Sequence, residues 1–307
     1  MRKQNTSRIM MVEPVAFGYN PETAVNNYFQ QQDETHPGCI QQMALTEFRQ
    51  MVATLRSHGI DVTVLQDQLA SHTPDSIFPN NPVSFHSHNR LVLFPMFATN
   101  RRREYCEEWL YLQGSGSRRH NRITDYRDFA EKGWYLEGTG SMVLDRPNKI
   151  AYAALSPRTT YDMLIRFCTD FDYRPLVFKA YQPVGNKRLP VCHTNVMMCV
   201  ADLYAVLCTK SIDDHEERER VSAVLQGFGK EVIEITEAQM HAFAGNMIQL
   251  ENSDGRKLLI MSEAARHSLR EDQISKLASY NELISISIPT IEKYGGGSVR
   301  CMIAEIF

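Results

Sequence analysis

The feature that most constrains this chain is a repeat in which one order of elements returns every 53 to 56 residues. Segments beginning at Glu137, His193 and Asn246 each read as strand, turn, strand, helix and strand. The segment after Phe78 fits this order more loosely. Units of this length exclude horseshoe and helical-pair solenoids, whose repeats are shorter and simpler. Equivalent positions, separated by 56, 56, 53 and 55 residues, are Asn81, Glu137, His193, Asn246 and Cys301.

The fifth unit is divided between the two ends of the chain. It begins at residues 298–307, and its other elements are an N-terminal strand at 7–14, a helix at 39–59 and a strand at 61–65. This arrangement predicts one α/β domain, residues 1–307, built as a closed ring of five ββαβ modules in which the terminal segments complete one shared module. The alternative is a doubly wound α/β sheet with accidental spacing. A parallel sheet, however, would place one strand before each helix, and here the strands come in pairs.

Two helices illustrate how the elements are assigned. Residues 39–59 carry an apolar stripe at helical spacing and end at Gly59, a typical stop signal. The stripe consists of Met43, Phe48, Met51, Val52 and Leu55. Residues 101–116 also read as a helix, and its first residues, Arg101–Arg103, are followed by acidic residues. That balance of charge predicts a solvated helix face.

The composition is that of an ordinary globular protein. Of 307 residues, 43% are hydrophobic and 22% are charged, which excludes disordered, collagen-like and coiled-coil chains. A net charge of −3 argues against a nucleic-acid binder. No apolar stretch approaches the ~20 residues of a membrane span, and Glu13 and Pro14 interrupt the N-terminal apolar segment, unlike a signal peptide. Seven cysteines without metal-type spacing predict reduced thiols in a cytoplasmic protein that needs no metal or other cofactor.

Polar residues stand where each unit opens, and the repeat would bring them to one end of the ring. Among them are a thiol, Cys301, an imidazole, His193, and a carboxylate, Glu137. Such a group is the constellation of nucleophilic catalysis, in which a thiolate attacks and an imidazole carries protons. Three glycines precede Cys301 and permit close approach to a ligand, and Arg300 beside it would favour the thiolate. Taken singly, each of these residues has an ordinary packing role as its alternative.

The same segments resemble the guanidine-modifying enzymes of the pentein fold. The motifs that carry the resemblance are FPNN, EGTGSMVLD, LSPRTT, HTNVMM and GGGSVRC. The group includes arginine deiminases, dimethylarginine dimethylaminohydrolases and amidinotransferases, and the pattern is most similar to the citrulline-utilisation hydrolases. The resemblance implies a five-bladed α/β propeller. It also implies that Cys301 is the nucleophile, His193 the general acid and base, and Glu137 the supporting acid.

Three asparagines depart from the pattern of this family. Relatives that bind dimethylarginine carry two acids where this chain has Asn80 and Asn81, and arginine deiminases carry an acid where it has Asn195. A guanidinium offers only N–H donors and a positive charge, so carboxylates match it best. A ureido group is neutral and offers an acceptor beside its donors, which an Asn amide matches. The asparagines therefore favour citrulline or a similar ureido compound, although Asn80 and Asn81 before a proline are also ordinary turn residues.

The resemblance also bears on how the amino-acid head group is held. Arg158 matches the arginine that binds the substrate carboxylate in the dimethylarginine hydrolases, and Asp75 is placed to meet an α-ammonium. A second arginine of those relatives falls at Phe94 in this chain. Asn246, at the start of its unit, completes the predicted substrate-binding residues.

These observations predict a hydrolase of a linear carbon–nitrogen bond that converts citrulline to ornithine, ammonia and carbon dioxide through a covalent Cys301 intermediate. One alternative is an arginine deiminase or a related guanidine hydrolase. The other is a catalytically inactive pentein that binds a ligand or partner, against which the retention of Cys301, His193 and Glu137 argues. The expected partner is a small amino-acid substrate, neither nucleic acid nor membrane, and the sequence leaves the oligomeric state open.

Overall fold

The computed structural model describes residues 3–112 and 122–307, and its alternation of short strands and helices confirms the mixed α/β class. The strands are β1 (Arg8–Glu13), β2 (Asp61–Gln66), β3 (Val83–His86), β4 (Arg90–Leu93), β5 (Arg122–Asp125), β6 (Val143–Asp145), β7 (Ile150–Leu155), β8 (Arg174–Lys179), β9 (Tyr181–Val184), β10 (Lys187–Pro190), β11 (Met198–Val200), β12 (Tyr204–Leu207), β13 (Glu231–Glu234), β14 (Ile248–Glu251), β15 (Lys257–Ser262), β16 (Glu282–Ile286) and β17 (Ala304–Glu305). The α-helices are α1 (Pro21–Ala24), α2 (Pro37–Ser57), α3 (Gly138–Ser141), α4 (Tyr161–Phe171), α5 (His215–Gly227), α6 (Glu237–His241), α7 (Glu263–Ser268), α8 (Glu271–Ala278) and α9 (Pro289–Gly295). Short 3-10 helices cover Leu69–Ser71, Asn100–Arg103, Glu107–Tyr111, Arg127–Lys132, Thr194–Val196 and Thr209–Ser211.

Within these ranges the strands form five three-stranded sheets with one shared topology. In each sheet the central strand pairs antiparallel with one neighbour and parallel with the other. The strand orders are β17-β1-β2, β3-β4-β5, β6-β7-β8, β11-β12-β13 and β14-β15-β16. A parallel neighbour needs a crossover connection, and a helix or a longer segment supplies it in every sheet. A separate hairpin, β9 with β10, lies between the third and fourth of these units and has no counterpart in the sequence repeat.

The sheet that contains both ends of the described chain is built around β1. Ile9 pairs antiparallel with Glu305 of β17, and Met10 pairs with Ala304. On its other side β1 runs parallel to β2, with Ile9 opposite Val62. The segment that carries Cys301 is therefore joined to the N-terminal strand by backbone hydrogen bonds.

Helix α2 covers this sheet with an apolar face. Its buried residues are Ile40, Ala44, Phe48, Met51, Val52 and Leu55. Phe48 is fully buried in the cluster that also contains Cys301. Met43, which the sequence pattern assigned to this face, is 42% exposed. At about 100° per residue Met43 lies roughly 60° from Ile40, on the side away from the other buried positions, and so falls outside the stripe.

The helix predicted for residues 101–116 is replaced by two 3-10 helices, Asn100–Arg103 and Glu107–Tyr111, and residues 113–121 lie outside the described part. The prediction of a fully solvated basic face is wrong at its first residue, because Arg101 is only 2% exposed. Arg101 turns inward to pair with Glu104, three residues later. That spacing suits a 3-10 turn, in which side chains at i and i+3 lie over one another.

The candidate site residues lie on turns just before the first strands of the sheets rather than inside strands. Glu137 precedes α3, His193 precedes the 3-10 turn at Thr194–Val196, and Cys301 lies in the turn before β17. In the ranges 3–112 and 122–307, no helix is long and apolar enough to cross a membrane.

We predict that Phe48→Ala lowers the free energy of unfolding by about 3–5 kcal/mol, because it opens a cavity in a fully buried cluster. Met43→Ala on the same helix, half-exposed by contrast, should change it by less than ~1 kcal/mol. Urea titrations of both variants followed by circular dichroism will measure the difference. Equal losses would mean that α2 does not pack as described.

Candidate active site

A carboxylate and an imidazole form the closest pair in the site. Glu137 Oε2 lies 2.7 Å from His193 Nε2. The other carboxylate oxygen, Oε1, accepts the backbone N–H of Phe97 at 3.0 Å. The backbone N–H of Glu137 donates to Ser141 Oγ at 2.8 Å, which fixes the start of α3. Glu137 is fully buried and His193 is 6% exposed, so this pair is shielded from water.

The charges around this pair favour the ionised carboxylate. Burial alone would raise the pKa of Glu137, but Arg158, the hydrogen bond to His193 and Arg101 outweigh it and lower the pKa to about 2. Burial lowers the pKa of His193, and the hydrogen bond that its Nε2–H donates to Glu137 opposes that shift without overcoming it. The resting pair is therefore a carboxylate beside a neutral imidazole that Glu137 holds in one orientation.

Cys301 lies in a turn that two asparagines flank. Its backbone N–H donates to the carbonyl of Ser298 at 2.9 Å, and the side chain is 3% exposed. Asn246 Nδ2 lies 3.3 Å from the sulfur and Asn195 Nδ2 lies 3.5 Å from it. Since Asn195 is two residues after His193, the 3-10 turn at Thr194–Val196 links the thiol to the imidazole.

The sequence suggested that Arg300 favours the Cys301 thiolate and that the preceding glycines let a ligand approach. In the structure both contact other parts of the protein. The Arg300 guanidinium turns away from the thiol and binds Glu305 Oε2 at 2.6 Å and the carbonyl of Ile303 at 2.9 Å. The glycines do make close contacts, but with the protein itself. A Cβ at Gly297 would stand 2.9 Å from the ring of Phe78, and one at Gly295 would stand 2.6 Å from it. The Phe78 ring thereby joins the FPNN segment to the turn of the nucleophile.

Asn80, Asn81 and Asp75 bring buried polar atoms without protein partners into the neighbourhood of Glu137. Among the described residues, no group bonds Asn80 Oδ1, Asn80 Nδ2, Asn81 Nδ2 or Asp75 Oδ1. The other oxygen of Asp75 accepts from Asn20 Nδ2 at 2.8 Å and from Thr23 Oγ1 at 3.0 Å. The remaining atom of Asn81, Oδ1, accepts from Arg101 Nη1 at 2.8 Å. Buried polar atoms of this kind are unfavourable unless a ligand or water bonds them.

Arg158, one of the predicted substrate-binding residues, lies beside Glu137. Its Nη1 is 3.5 Å from Glu137 Oε2. Its Nε donates to Asn26 Oδ1 and its Nη2 to the carbonyl of Thr23, both at 2.7 Å. These bonds come from the segment around α1, which was not part of the sequence-based site.

A second buried arginine, Arg101, is the site residue that the sequence did not reveal. Its Nη1 lies 4.0 Å from Glu137 Oε2 and its Nε lies 3.9 Å from Asp75 Oδ2. The position assigned to a second arginine by the sequence pattern, Phe94, belongs instead to a buried aromatic cluster with Tyr126 and Phe167. The one signal in the sequence was the spacing of Arg101 to Glu104, which exposed helices also show.

The charge of Arg101 is compensated by carboxylates. Burial opposes its ionisation, but Glu104, Asp75 and Glu137 raise the pKa of Arg101 above its usual range. Its Nε and Nη2 bind Glu104 at 2.8 and 2.9 Å. Burial raises the pKa of Glu104 to about 7 in spite of this partner.

The arrangement supplies a thiol, an imidazole with its orienting carboxylate, two buried guanidinium groups and free amide groups. In the described part of the chain no group of three His, Cys, Asp or Glu side chains is placed to hold a metal ion. Such a set can attack an electrophilic carbon, move a proton and bind a polar ligand.

Comparison with known protein families gives one match that spans nearly the whole chain. The model of the family described as N,N dimethylarginine dimethylhydrolase, eukaryotic, matches residues 13–307. No curated protein matches the chain in sequence.

Solved structures with similar folds include proteins of arginine chemistry. Apo ArgZ, an arginine dihydrolase from the ornithine–ammonia cycle in cyanobacteria, superposes with a TM-score of 0.72 at 14% identity over 97% of this chain. The present chain spans only 40% of that protein. The N-terminal domain of ArgZ covalently bound to a reaction intermediate has a TM-score of 0.72 at 16% identity, covering 98% of this chain and 97% of that domain. A dimethylarginine dimethylaminohydrolase adduct with S-methyl-L-thiocitrulline has a TM-score of 0.62 at 15% identity, covering 98% of this chain and 100% of that one. The mixed α/β fold of this chain therefore matches that of pentein structures.

A further buried carboxyl group lies behind the turn of the nucleophile. Glu292 of α9 accepts a hydrogen bond from Ser298 Oγ at 2.6 Å, and Ser298 in turn accepts the backbone N–H of Cys301. Burial raises the pKa of Glu292 to about 7, the hydroxyls of Ser298 and Ser262 oppose the shift, and the nearby charge of Glu47 adds to it. The folded protein therefore keeps the Glu292 proton at pH values where the unfolded chain has lost it.

We predict that this carboxyl group destabilises the fold as the pH rises from 5 to 8. The pKa of Glu292 is raised to about 7 in the folded protein. The stability contributed by its protonated form is therefore fully present below the unfolded pKa near 4.5 and is lost as the pH rises through about 7. Glu292→Gln should reduce the loss by up to about 3 kcal/mol, while the exposed Glu34→Gln should leave it unchanged. Urea unfolding at several pH values measures both; identical pH slopes for the wild type and Glu292→Gln would contradict the prediction.

Proposed function

The chain belongs to the family described as N,N dimethylarginine dimethylhydrolase, eukaryotic, and on that premise we propose that it is a cysteine-dependent hydrolase of a linear carbon–nitrogen bond. The observation that carries the proposal is the buried Glu137–His193 pair, joined through one short turn to a thiol between two amides. A covalently bound reaction intermediate in one similar structure and an adduct in another support a covalent mechanism. The substrate that the polar groups of the site favour is citrulline or a similar ureido amino acid.

In the proposed reaction the Cys301 thiol first gives its proton to the neutral imidazole of His193, and the resulting thiolate adds to the ureido carbon. The bond to the side-chain nitrogen of the substrate breaks, and His193 in its protonated form gives a proton to the departing amine of ornithine. The S-carbamoyl group left on Cys301 is then attacked by water, which gives up a proton to His193. Carbamate leaves, the thiolate is restored, and carbamate decomposes to ammonia and carbon dioxide. Glu137 supports the charged imidazole that forms whenever His193 takes up a proton.

The orientation of Asn81 supports a ureido group over a guanidinium. Arg101 offers donors only, so the atom of Asn81 that faces it must be the carbonyl oxygen. The Asn81 NH₂ is therefore left as a donor without a described partner. A guanidinium has no acceptor for it, whereas the ureido carbonyl does. Asn80 and Asn195 present further neutral amides rather than carboxylates.

For the amino-acid head group we propose that Arg158 and Arg101 are the cations that meet the α-carboxylate of the substrate. Arg101 would take the part of the second arginine, whose position in the sequence pattern is occupied by Phe94. Both guanidinium groups are buried and lie within 4.0 Å of Glu137, so they bring positive charge into the site. The free oxygen of Asp75 is an acceptor for the α-ammonium. Asn20 and Thr23 hold the other oxygen and keep the carboxylate in place.

The second candidate is hydrolysis of arginine or dimethylarginine. The family description and the activity of ArgZ favour it. The buried carboxylates Glu137 and Asp75 also provide partners for a cation. It differs from the first candidate in the charge of the substrate, and a direct assay separates them.

We further propose that the five sheets are the blades of one pentein propeller and that residues 1–307 act as one catalytic domain. The shared topology of the sheets supports this arrangement. Neighbouring sheets also touch through their first strands, β17 with β3, β6 with β11 and β11 with β14.

A substrate panel tests the function. Purified protein is given citrulline, arginine, dimethylarginine and agmatine, and release of ammonia or dimethylamine is measured with products identified by mass spectrometry. We expect citrulline to have the highest kcat/KM and Cys301→Ala to abolish turnover. A preference for arginine or dimethylarginine would establish the second candidate. Binding without turnover of any compound would instead favour an inactive, ligand-binding pentein.

Exchange of the asparagines for acids tests the charge argument. In Asn80→Asp, Asn81→Asp and Asn195→Asp a carboxylate replaces a matched amide. This should cost about 2–3 kcal/mol toward citrulline, or roughly 30- to 150-fold in kcat/KM. Asn195→Asp should also shift the preference toward arginine, because a carboxylate restores a partner for positive charge. Unchanged citrulline-to-arginine ratios in all three variants would refute the argument.

A further inference from the structure

Every hydrogen-bonding group of the Asn246 side chain is already engaged by the protein. The side chain is fully buried. Its Nδ2 donates to the carbonyl of Asn195 at 2.8 Å and points to the Cys301 sulfur at 3.3 Å. Its Oδ1 accepts the backbone N–H of Arg300 at 3.1 Å. Two N–H donors and one carbonyl are matched to three partners, which leaves little capacity for a substrate.

The chemistry of those partners fixes which way the amide faces. The backbone N–H of Arg300 can only donate, so Oδ1 must face it. The carbonyl of Asn195 can only accept, so Nδ2 must face it. The second N–H of the same NH₂ group is therefore directed to the sulfur. Asn195 differs, because both its Nδ2 at 3.5 Å and its Oδ1 at 3.9 Å face the thiol, so these two contacts do not fix its orientation.

The backbone before Asn246 is held as firmly as its side chain. A Cβ at Gly245 would stand 2.3 Å from the carbonyl oxygen of Val196, so only glycine permits this contact. The chain at Gly245–Asn246 is thus packed directly on the turn that follows His193. Asn246 therefore contacts the turn after His193, the backbone N–H of Arg300 and the Cys301 sulfur.

We propose that Asn246 is a catalytic residue that holds the Cys301 thiolate, rather than a contact for the substrate. The sulfur is negative before attack and again when carbamate leaves, and it is neutral while bonded to carbon. A fixed N–H donor therefore stabilises the two states in which the sulfur is free, since hydrogen bonds to charged groups are the stronger ones. The hydrogen bonds of Asn246 to the Arg300 N–H and to the Asn195 carbonyl hold the sulfur in a fixed position relative to the turn after His193. The inference rests on the proposed function only for Cys301 as the nucleophile.

The test compares Asn246→Asp with the wild type. A carboxylate of the same shape still accepts the Arg300 N–H, but it offers oxygen to both the sulfur and the carbonyl of Asn195. The alkylation rate of Cys301 by iodoacetamide, followed on its peptide by mass spectrometry with exposed Cys39 as internal reference, should fall on the order of 10- to 100-fold. With the preferred substrate, kcat should fall at least as much and KM should stay within about threefold.

Asn252→Asp is the matched control. Asn252 is also buried, donates to the carbonyl of His58 and accepts two backbone N–H groups, but it lies away from the thiol. It should lower stability as Asn246→Asp does and leave the alkylation rate unchanged. If Asn246→Asp does not fold, Asn246→Ser, which keeps a donor, is expected to alkylate faster than Asn246→Ala.

The outcomes separate this inference from the proposed function. Alkylation is measured without substrate, so a slowed alkylation of Cys301 in Asn246→Asp supports the role of Asn246 whatever the substrate is. If the wild type then prefers a substrate other than citrulline, only the citrulline proposal is rejected. Alkylation at the wild-type rate, or a defect confined to KM, would overturn the inference and make Asn246 a substrate contact.

Discussion

The site depends on keeping one carboxylate ionised without water. Glu137 is fully buried, and an isolated carboxylate there would be strongly unfavourable. Arg158, Arg101 and His193 together more than offset its desolvation, so its pKa falls rather than rises. Each of the three is itself tied to a different segment, so the charge balance also sets the relative positions of those segments. Breaking such a buried pair leaves a charge unpaired, which is more damaging than losing a surface ion pair.

The repeat allowed much of this to be predicted from the sequence. Equivalent positions in successive units contain Glu137, His193 and Cys301, and the structure places the first two in direct contact and joins the third to them through Asn195. Periodicity works here because each unit pairs its strands in the same way. The elements that break the period were not predictable by it. The hairpin of β9 and β10 and the short helix α1 belong to no repeat position.

Arg101 shows why sequence patterns fail at buried charge. Beside Arg102 and Arg103, and before several acids, it has the local signature of a solvated surface. Its burial is decided by Asp75 and Glu137, which are distant in sequence and meet it only in the folded chain. The same reasoning applies to Asn246, whose importance lies in the three groups it bonds and not in its residue type. Met43, by contrast, was assigned to the buried face of its helix although the next residue, Ala44, is the one that lies there.

The pairing of β1 with β17 has a consequence for the order in which the site assembles. Ile9 and Glu305 are neighbours in one sheet although nearly the whole chain separates them, and such a contact carries a large loop-closure entropy. Long-range pairings of this kind form slowly and late. Cys301 lies three residues before β17, so the sulfur meets Asn195 and Asn246 only when this sheet closes. A chain in which this sheet has not yet closed would therefore carry the Cys301 thiol without the two amides that hold it.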